Sequence, residues 1–474
     1  MKSELLRLCE AVRDAGGQAM LVGGTVRDRL LGIEPKDYDV EVYGLEPDRV
    51  REVLERIGRV NTVGEHFAVY KLVFYRPAQV RNDDFNLAEA AASEERFEID
   101  VSLPRRESKS GRGHRGFVIE GDPSMTFADA ARRRDFTINA ILYDPLTDKT
   151  EDPYGGRADL KNRLLRAVAA DTFVEDSLRV LRAVQLAARF EMTIEPRTAE
   201  LCRTIDLSDL PHERVWGEID KLLTLTDHPS IGLSVALELD VLDKLFPEIR
   251  ALAPSHGEDD AADALRHTKL ALDEAAKEAR DLSKPQRIAV MLATLCHDVV
   301  AAIPARTSDE PQTSKLIKRP GYRAELQPVV SVLNTLGLYG INGYDVRSQV
   351  LSLVREQRRP REFYQAGETT TDGDFRRLAQ RVDIDLLYRV EKSCAAARGP
   401  ATSTFAEDWF VEKARALGVE HGPPAPLLQG RHLIEAGYEP GPQMGRLLRA
   451  VYELQLDGKV TTLDEALAAA RQAG

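Results

Sequence analysis

A change of hydrophobic period near residue 152 constrains this chain more than any other feature. Up to that point, short apolar runs (AMLVGG, DYDVEVYG, AVYKLVFY, FEIDVSL, GFVIE and AILYD) punctuate the sequence. Alternation with a period of two buries one face of a strand. Two stretches, MKSELLRLCEAVRDAGG and TVRDRLLG, carry helical spacing instead. From Arg157 onward apolar residues recur at three and four, as in SLRVLRAVQLAARF, ERVWGEIDKLLT, IGLSVALELDVLDKLF, HTKLALDEAAKEAR, QRIAVMLATLCHDV and LQPVVSVLNTLG. The pattern predicts an α+β protein, with a mixed α/β unit over 1–152 followed by a nearly all-helical remainder. Residues 82–95 (NDDFNLAEAAASEE) predict a surface insertion or short extra helix, 301–318 a loop, and HGPPAP a linker before a compact C-terminal unit.

At 474 residues, with 43% hydrophobic and 30% charged side chains, the chain exceeds one ordinary domain. No apolar run approaches the roughly 18 residues that span a bilayer, which excludes a membrane protein, and the N-terminus lacks a secretory pattern, which predicts the cytoplasm. The cysteines (Cys9, Cys202, Cys296, Cys394) are far apart in apolar, helix-like settings, so core thiols are expected rather than a disulfide framework or zinc cluster. A net charge of -12 gives no global attraction for nucleic acid. Positive charge is instead concentrated in RRESKSGRGHR, in Arg132 to Arg134, and between Arg157 and Arg189.

Those runs flank candidate chemistry. Asp37 and Asp39 in KDYDVEVYG are one residue apart on a strand, so both carboxylates face one side. Such a pair can hold divalent cations alongside substrate phosphates, although acidic alternation on an exposed strand explains most pairs of this kind. Upstream, LVGGTVRD puts Gly23 and Gly24 at a strand-to-helix turn, where backbone N–H groups can cradle a triphosphate and Arg27 can reach a phosphate. Asp100, in FEIDVSL, would join the pair in a fold that brings the strands together.

GG, RD and DxD in this order resemble the head of the class II tRNA CCA-adding and bacterial poly(A) polymerase family. The resemblance continues through most of the chain. RRRDFTINAILYD is similar to the family's second head motif, in which Arg134 and Asp135 would contact the nucleotide and Asn139 would shape its pocket. FVEDSLRVLRA resembles its nucleotide-reading helix, where Asp176 and Arg179 would serve as a template for the base. Three apart, they would share a helix face, one accepting and one donating. Arg182 would be a phosphate ligand, whereas Gln185 stands where many relatives carry another arginine. PRRESKSGRGHRGF resembles the mobile loop that switches from C to A, and the segment from LLQGRHLIEAGY through PGPQMG resembles the family's tail.

The resemblance implies a polymerase-beta-like nucleotidyltransferase head over 1–152, a helical neck over 153–228, an HD-like body over 229–400 and a tRNA-binding tail over 401–474. It implies addition of CCA to the tRNA 3′ end from CTP and ATP, with Asp37, Asp39 and Asp100 catalytic and two Mg2+ ions on Asp37 and Asp39. Neither a membrane nor an obligate protein partner is expected. The alternatives are an A-adding enzyme, a poly(A) polymerase, an HD phosphohydrolase with a spent head, and a non-catalytic tRNA-binding protein. His267 and the His297-Asp298 pair resemble HD ligands, but Cys394 replaces an expected Asp, and the later histidines, His421 and His432, fall in the tail. The expectation is an HD-shaped scaffold with a lost metal site and no hydrolase activity.

Overall fold

The computed structural model describes residues 3–35, 37–62, 69–77, 94–109, 117–253, 262–302, 324–399 and 403–473. Two compact units emerge, Met1–Leu210 and Pro211–Gly474.

In the first unit, helix Ser3–Asp14 aligns Leu5, Leu8, Cys9 and Val12 on one buried face. The strands are β1 (Gln18–Leu21), β2 (Asp39–Tyr43), β3 (Arg59–Thr62), β4 (Val69–Pro77), β5 (Glu94–Ser102), β6 (Arg105–Lys109), β7 (Phe117–Gly121), β8 (Leu142–Asp144) and β9 (Lys149–Glu151). Seven of them form one sheet in the order β3-β4-β5-β2-β1-β8-β9. β2 and β5 are parallel, with Asp39 opposite Asp100 and Val40 opposite Val101, whereas β1 is antiparallel to β2.

Alternation along these strands gives the sheet two different faces. Val40, Val42, Leu72, Ile99 and Val101 join the core beneath helices Ser3–Asp14 and Pro47–Ile57. Met20, Val22, Tyr43, Ala130, Ala140 and Leu142 form a second cluster. The period of two therefore places Asp39, Glu41 and Tyr43 together on the side away from the main core. Each large side chain fully buried there contributes on the order of 1.5–3 kcal/mol, so the register is strongly specified.

Two expectations are corrected. The basic segment expected as a mobile loop is partly ordered, since Arg105–Lys109 pairs with Phe117–Gly121 in an antiparallel hairpin separate from the main sheet. Residues 110–116 lie outside the described residues, as do 82–93 of the expected insertion and 303–318 of the expected loop. The run IGLSVALELDVLDKLF is two helices, Pro229–Glu238 and Val241–Leu245, broken where Asp240 takes a left-handed conformation at φ 59°.

In the second unit, helices Ala262–Glu278, Lys284–Cys296 and Ile384–Ala397 pack against one another. Its last part has its own core of Leu428, Leu433, Met444, Leu447, Val451 and Val460, and PGPQMG opens helix Pro442–Leu456. All four cysteines are buried and unbridged. Among the described residues, no helix is long and apolar enough to cross a membrane.

Candidate active site

The site is built where β1 turns into helix Gly24–Leu30. Gly23 adopts φ 68°, a conformation that favours glycine, and a β-carbon there would lie 3.1 Å from Arg134 Nη1 and 3.8 Å from Asp39 Oδ2. The turn thus touches both the acidic strand and the arginine motif. Thr25, buried in the same turn, staples it to β2: its hydroxyl donates to the Asp37 carbonyl at 3.1 Å and accepts from the Asp39 N–H at 3.2 Å.

Asp37 is exposed just ahead of β2, and Asp39 opens the strand. Asp100 lies beside Asp39 across the parallel pair, its N–H donating to the Tyr38 carbonyl at 2.9 Å. Burial, together with the nearby Asp100 and Asp37 carboxylates, pushes the Asp39 carboxyl up from its ordinary range against the pull of Arg134. The Asp39 side chain keeps an accessible tip although surrounding protein excludes much of the bulk water. Asp100 Oδ1 is buried without a hydrogen bond, 3.3 Å from the Lys71 ammonium. Asp37, Asp39 and Asp100 are hard oxygen donors of the kind a divalent cation takes, and Asp100 is meanwhile paired with Lys71.

Glu41, two residues beyond Asp39, is fully buried. It accepts from the Tyr43 hydroxyl at 2.6 Å and from Arg133 at 2.9 Å, and lies 3.7 Å from Arg134. Burial works against its charge, but Arg134 and Arg133 hold the carboxyl below its usual range. Glu41 therefore anchors the arginine motif under Gly23. In the sequence its signal is the continued period of two, D-x-D-x-E, from Asp37 through Asp39 to Glu41.

A second chain of contacts runs behind the turn. Arg27 is buried, donates to Asp28 at 2.6 and 2.8 Å and to Asn139 Oδ1 at 2.8 Å, and stacks on Phe190 at 4.4 Å. Asn139 donates to Asp135 at 3.0 Å, Asp135 accepts the Phe136 N–H at 2.7 Å, and Arg182 reaches Asp135 at 3.0 Å. Burial opposes the charge of Asp135, and Arg182, Asn139 and the Phe136 N–H together hold its carboxyl below the usual range. Arg27, Asp135 and Asn139 are thus internal parts of a network joining the turn to helix Leu178–Phe190, while Arg182 remains half exposed. Asp28, which also lies 3.5 Å from Arg189, was missed from sequence although it adjoins Arg27 in the RD pair.

Helix Leu178–Phe190 starts after Asp176, so Asp176 and Arg179 do not share a helix face. Asp176 Oδ1 instead accepts the Leu178 N–H at 3.1 Å, because a short carboxylate ahead of a helix bonds the free donors of the first turn. Arg179 donates to the Thr172 carbonyl at 2.7 Å and to the Arg133 carbonyl, which fixes the plane of its guanidinium beside the RRD turn. Gln185 is buried, and its Nε2 has no hydrogen-bond partner.

Residues 19–166 match the poly A polymerase head domain, and residues 191–252 match the probable RNA and SrmB-binding site of polymerase A. The multifunctional CCA protein of Xylella fastidiosa (strain 9a5c) is 35% identical over 301 residues, covering 61% of this chain and 64% of its own length. The chain is similar to the class II CCA-adding and poly(A) polymerase family over its head and the helices that follow.

A second relative, the multifunctional CCA protein of Aliivibrio salmonicida (strain LFI1238), is 41% identical over 244 residues, covering 50% of this chain and 52% of its own length. The chain thus spans less than two thirds of these relatives. The Bacillus stearothermophilus CCA-adding enzyme in complex with CTP matches the fold with a TM-score of 0.65 at 19% identity, covering 100% of this chain and 98% of that one. The Thermotoga maritima CCA-adding enzyme complexed with tRNA gives 0.59 at 18%, covering 100% and 96%. The segments that resemble the family's head motifs lie at the β1 turn, β2, β5 and the Arg134 turn. The later histidines are spent locally: His421 lies 3.6 Å from Asp383, and His432 Nδ1 accepts the Gln429 N–H at 3.2 Å.

Proposed function

We propose that this chain builds the CCA end of tRNA, transferring CMP and AMP from CTP and ATP to the 3′-hydroxyl with release of pyrophosphate. The observation that carries the reading is the placing of Asp39 and Asp100 side by side in register, facing Arg134 across the Gly23 turn. Asp37 and Asp39, joined by Asp100, would hold the divalent ions, with Mg2+ the expected species. Such ions lower the pKa of an attacking hydroxyl and neutralise developing phosphate charge.

The chain's own groups supply the rest. The Gly23–Gly24 backbone, unobstructed by a β-carbon, receives the triphosphate, and Arg134 and the half-exposed Arg182 contribute positive charge to it. Asp135 acts through Arg182 as a positioning residue, and Arg27 and Asn139 hold the pocket wall. Asp176 and the planar, carbonyl-tethered Arg179 present an acceptor and donors to the base edge. The 3′-oxygen bonds to the α-phosphorus as the bond to the pyrophosphate oxygen breaks. Residues 1–152 would be the catalytic head, 153–228 the neck, 229–400 the body and 401–474 the tail, which together recognise tRNA by shape and phosphate in the cytoplasm.

The test is labelled CMP and AMP incorporation onto tRNA lacking its terminus. Asp39→Ala should abolish incorporation with the circular dichroism spectrum unchanged; retained incorporation would remove the acidic cluster from catalysis.

A further inference from the structure

The second unit holds a cluster that the nucleotidyl-transfer reading leaves unused. His267 lies in helix Ala262–Glu278, His297 caps helix Lys284–Cys296, and Cys394 lies in helix Ile384–Ala397. One ligand atom from each falls within 4.8 Å of the other two. With metal–nitrogen distances of about 2.0 Å and metal–sulfur of about 2.3 Å, a tetrahedral site needs separations of roughly 3.3–3.6 Å, a closure that side-chain rotation of about 1 Å supplies.

The imidazole of His297 is already oriented for ligation. It is 4% exposed, and its Nδ1 lies 2.6 Å from the Thr294 carbonyl, which can only accept. Nδ1 therefore carries the proton, and in the neutral ring Nε2 presents a lone pair. That Nε2 is buried without a hydrogen bond, 3.0 Å from Asp298 Oδ2, itself a lone-pair donor. Either a second ring proton, which makes an imidazolium–carboxylate pair, or a metal ion accounts for this approach. A histidine held by a backbone carbonyl through its other nitrogen is the usual arrangement around a metal. Cys394 is 1% exposed, and burial pushes its thiol well above the ordinary range. A bound divalent ion reverses that by stabilising the thiolate. A cavity of about 780 Å³ lined by His267, Asp298 and Arg398 gives an entry path.

We propose that His267, His297 and Cys394 form a metal site that takes Zn2+ or a similarly soft divalent ion and discriminates against Mg2+. Two imidazoles and a thiolate select such ions, whereas magnesium requires oxygen ligands. The presence of cysteine at position 394, expected from sequence to mark a lost site, changes the choice of metal instead. Three protein ligands leave the fourth position to water or to Asp298.

The test uses the full chain, stripped of metal and titrated with Co2+. One equivalent per chain should bind, with a sulfur-to-cobalt charge-transfer band and the intense visible bands of a tetrahedral site. Stoichiometric Zn2+ should displace it, and a thousandfold excess of Mg2+ should not. Cys394→Ser should remove the charge-transfer band, and His267→Gln, at a half-buried position, should weaken binding at least tenfold while the chain stays folded by circular dichroism. Cys296→Ala should leave the spectrum intact. Absence of bound cobalt at micromolar concentrations, a spectrum without the sulfur band, or equal competition by Mg2+ would overturn the proposal.

Discussion

Asp39 sits where its own charge is disfavoured, partly desolvated by surrounding protein and beside Asp100 and Asp37, although its side chain still reaches solvent. Removing that charge should relieve the fold as it disables the chemistry. Asp39→Asn is expected to lower incorporation by about 100-fold or more while leaving the melting temperature unchanged or higher, measured by single-turnover kinetics and calorimetry on one preparation. Asp135 is the opposite case. Its carboxylate is buried, ion-paired with Arg182 through Oδ2 and hydrogen-bonded by Asn139 and the Phe136 N–H through Oδ1, so Asp135→Asn should cost about 1–3 kcal/mol of stability by denaturant titration. Because its folded-state pKa is depressed, the stabilisation is complete above about pH 4 and disappears as pH falls through the native value. The wild-type acid limb should therefore be steeper than that of the variant. At this scale GG, DxD and RRD were legible, since each motif names its own chemistry. The partners were not: Glu41, Asp28 and Thr25 act through contacts that only the closed fold creates.

The elements place these residues through close backbone approaches. At Gly156, which opens helix Gly156–Lys161, a β-carbon would fall 2.0 Å from the Thr137 carbonyl oxygen, backbone against backbone with nothing free to move. Gly156→Ala is expected to cost about 3 kcal/mol and loosen the segment Thr137–Asn139, read as a lowered denaturation midpoint. At Gly23 the obstacle is a side chain, Arg134, plus a positive φ. Gly23→Ala should cost about 1 kcal/mol and act mainly on the Michaelis constant for nucleotide, as Arg134 is displaced. Element types were readable from periodicity because both faces of the sheet and the helix stripes are buried. The start of helix Leu178–Phe190 was not, because Asp176 competes for its first N–H groups. Nor was the strand Arg105–Lys109, whose polar sequence alternates no apolar face and is held by pairing with Phe117–Gly121.

At the level of the whole molecule, the proposed function asks a chain with a net charge of -12 to hold a polyanion through local positive charge. tRNA affinity should therefore fall steeply and linearly in log–log form with added salt, and the slope counts the phosphates neutralised. A slope near zero would show that the arginine-rich segments are not the contact. The helical second unit was legible in class but not in detail. Cys394 reads from sequence as one more core thiol, and only packing of three distant helices brings it to His267 and His297.

The most direct test of templated CCA synthesis is gel-resolved extension of three tRNA transcripts, lacking CCA, CA or the final A, with CTP and ATP supplied singly and together. Extension that stops at CCA on all three is predicted, with CTP alone halting at CC. Extension of the third transcript only would make the chain an A-adding enzyme, long A tails would make it a poly(A) polymerase, and no incorporation would contradict the account.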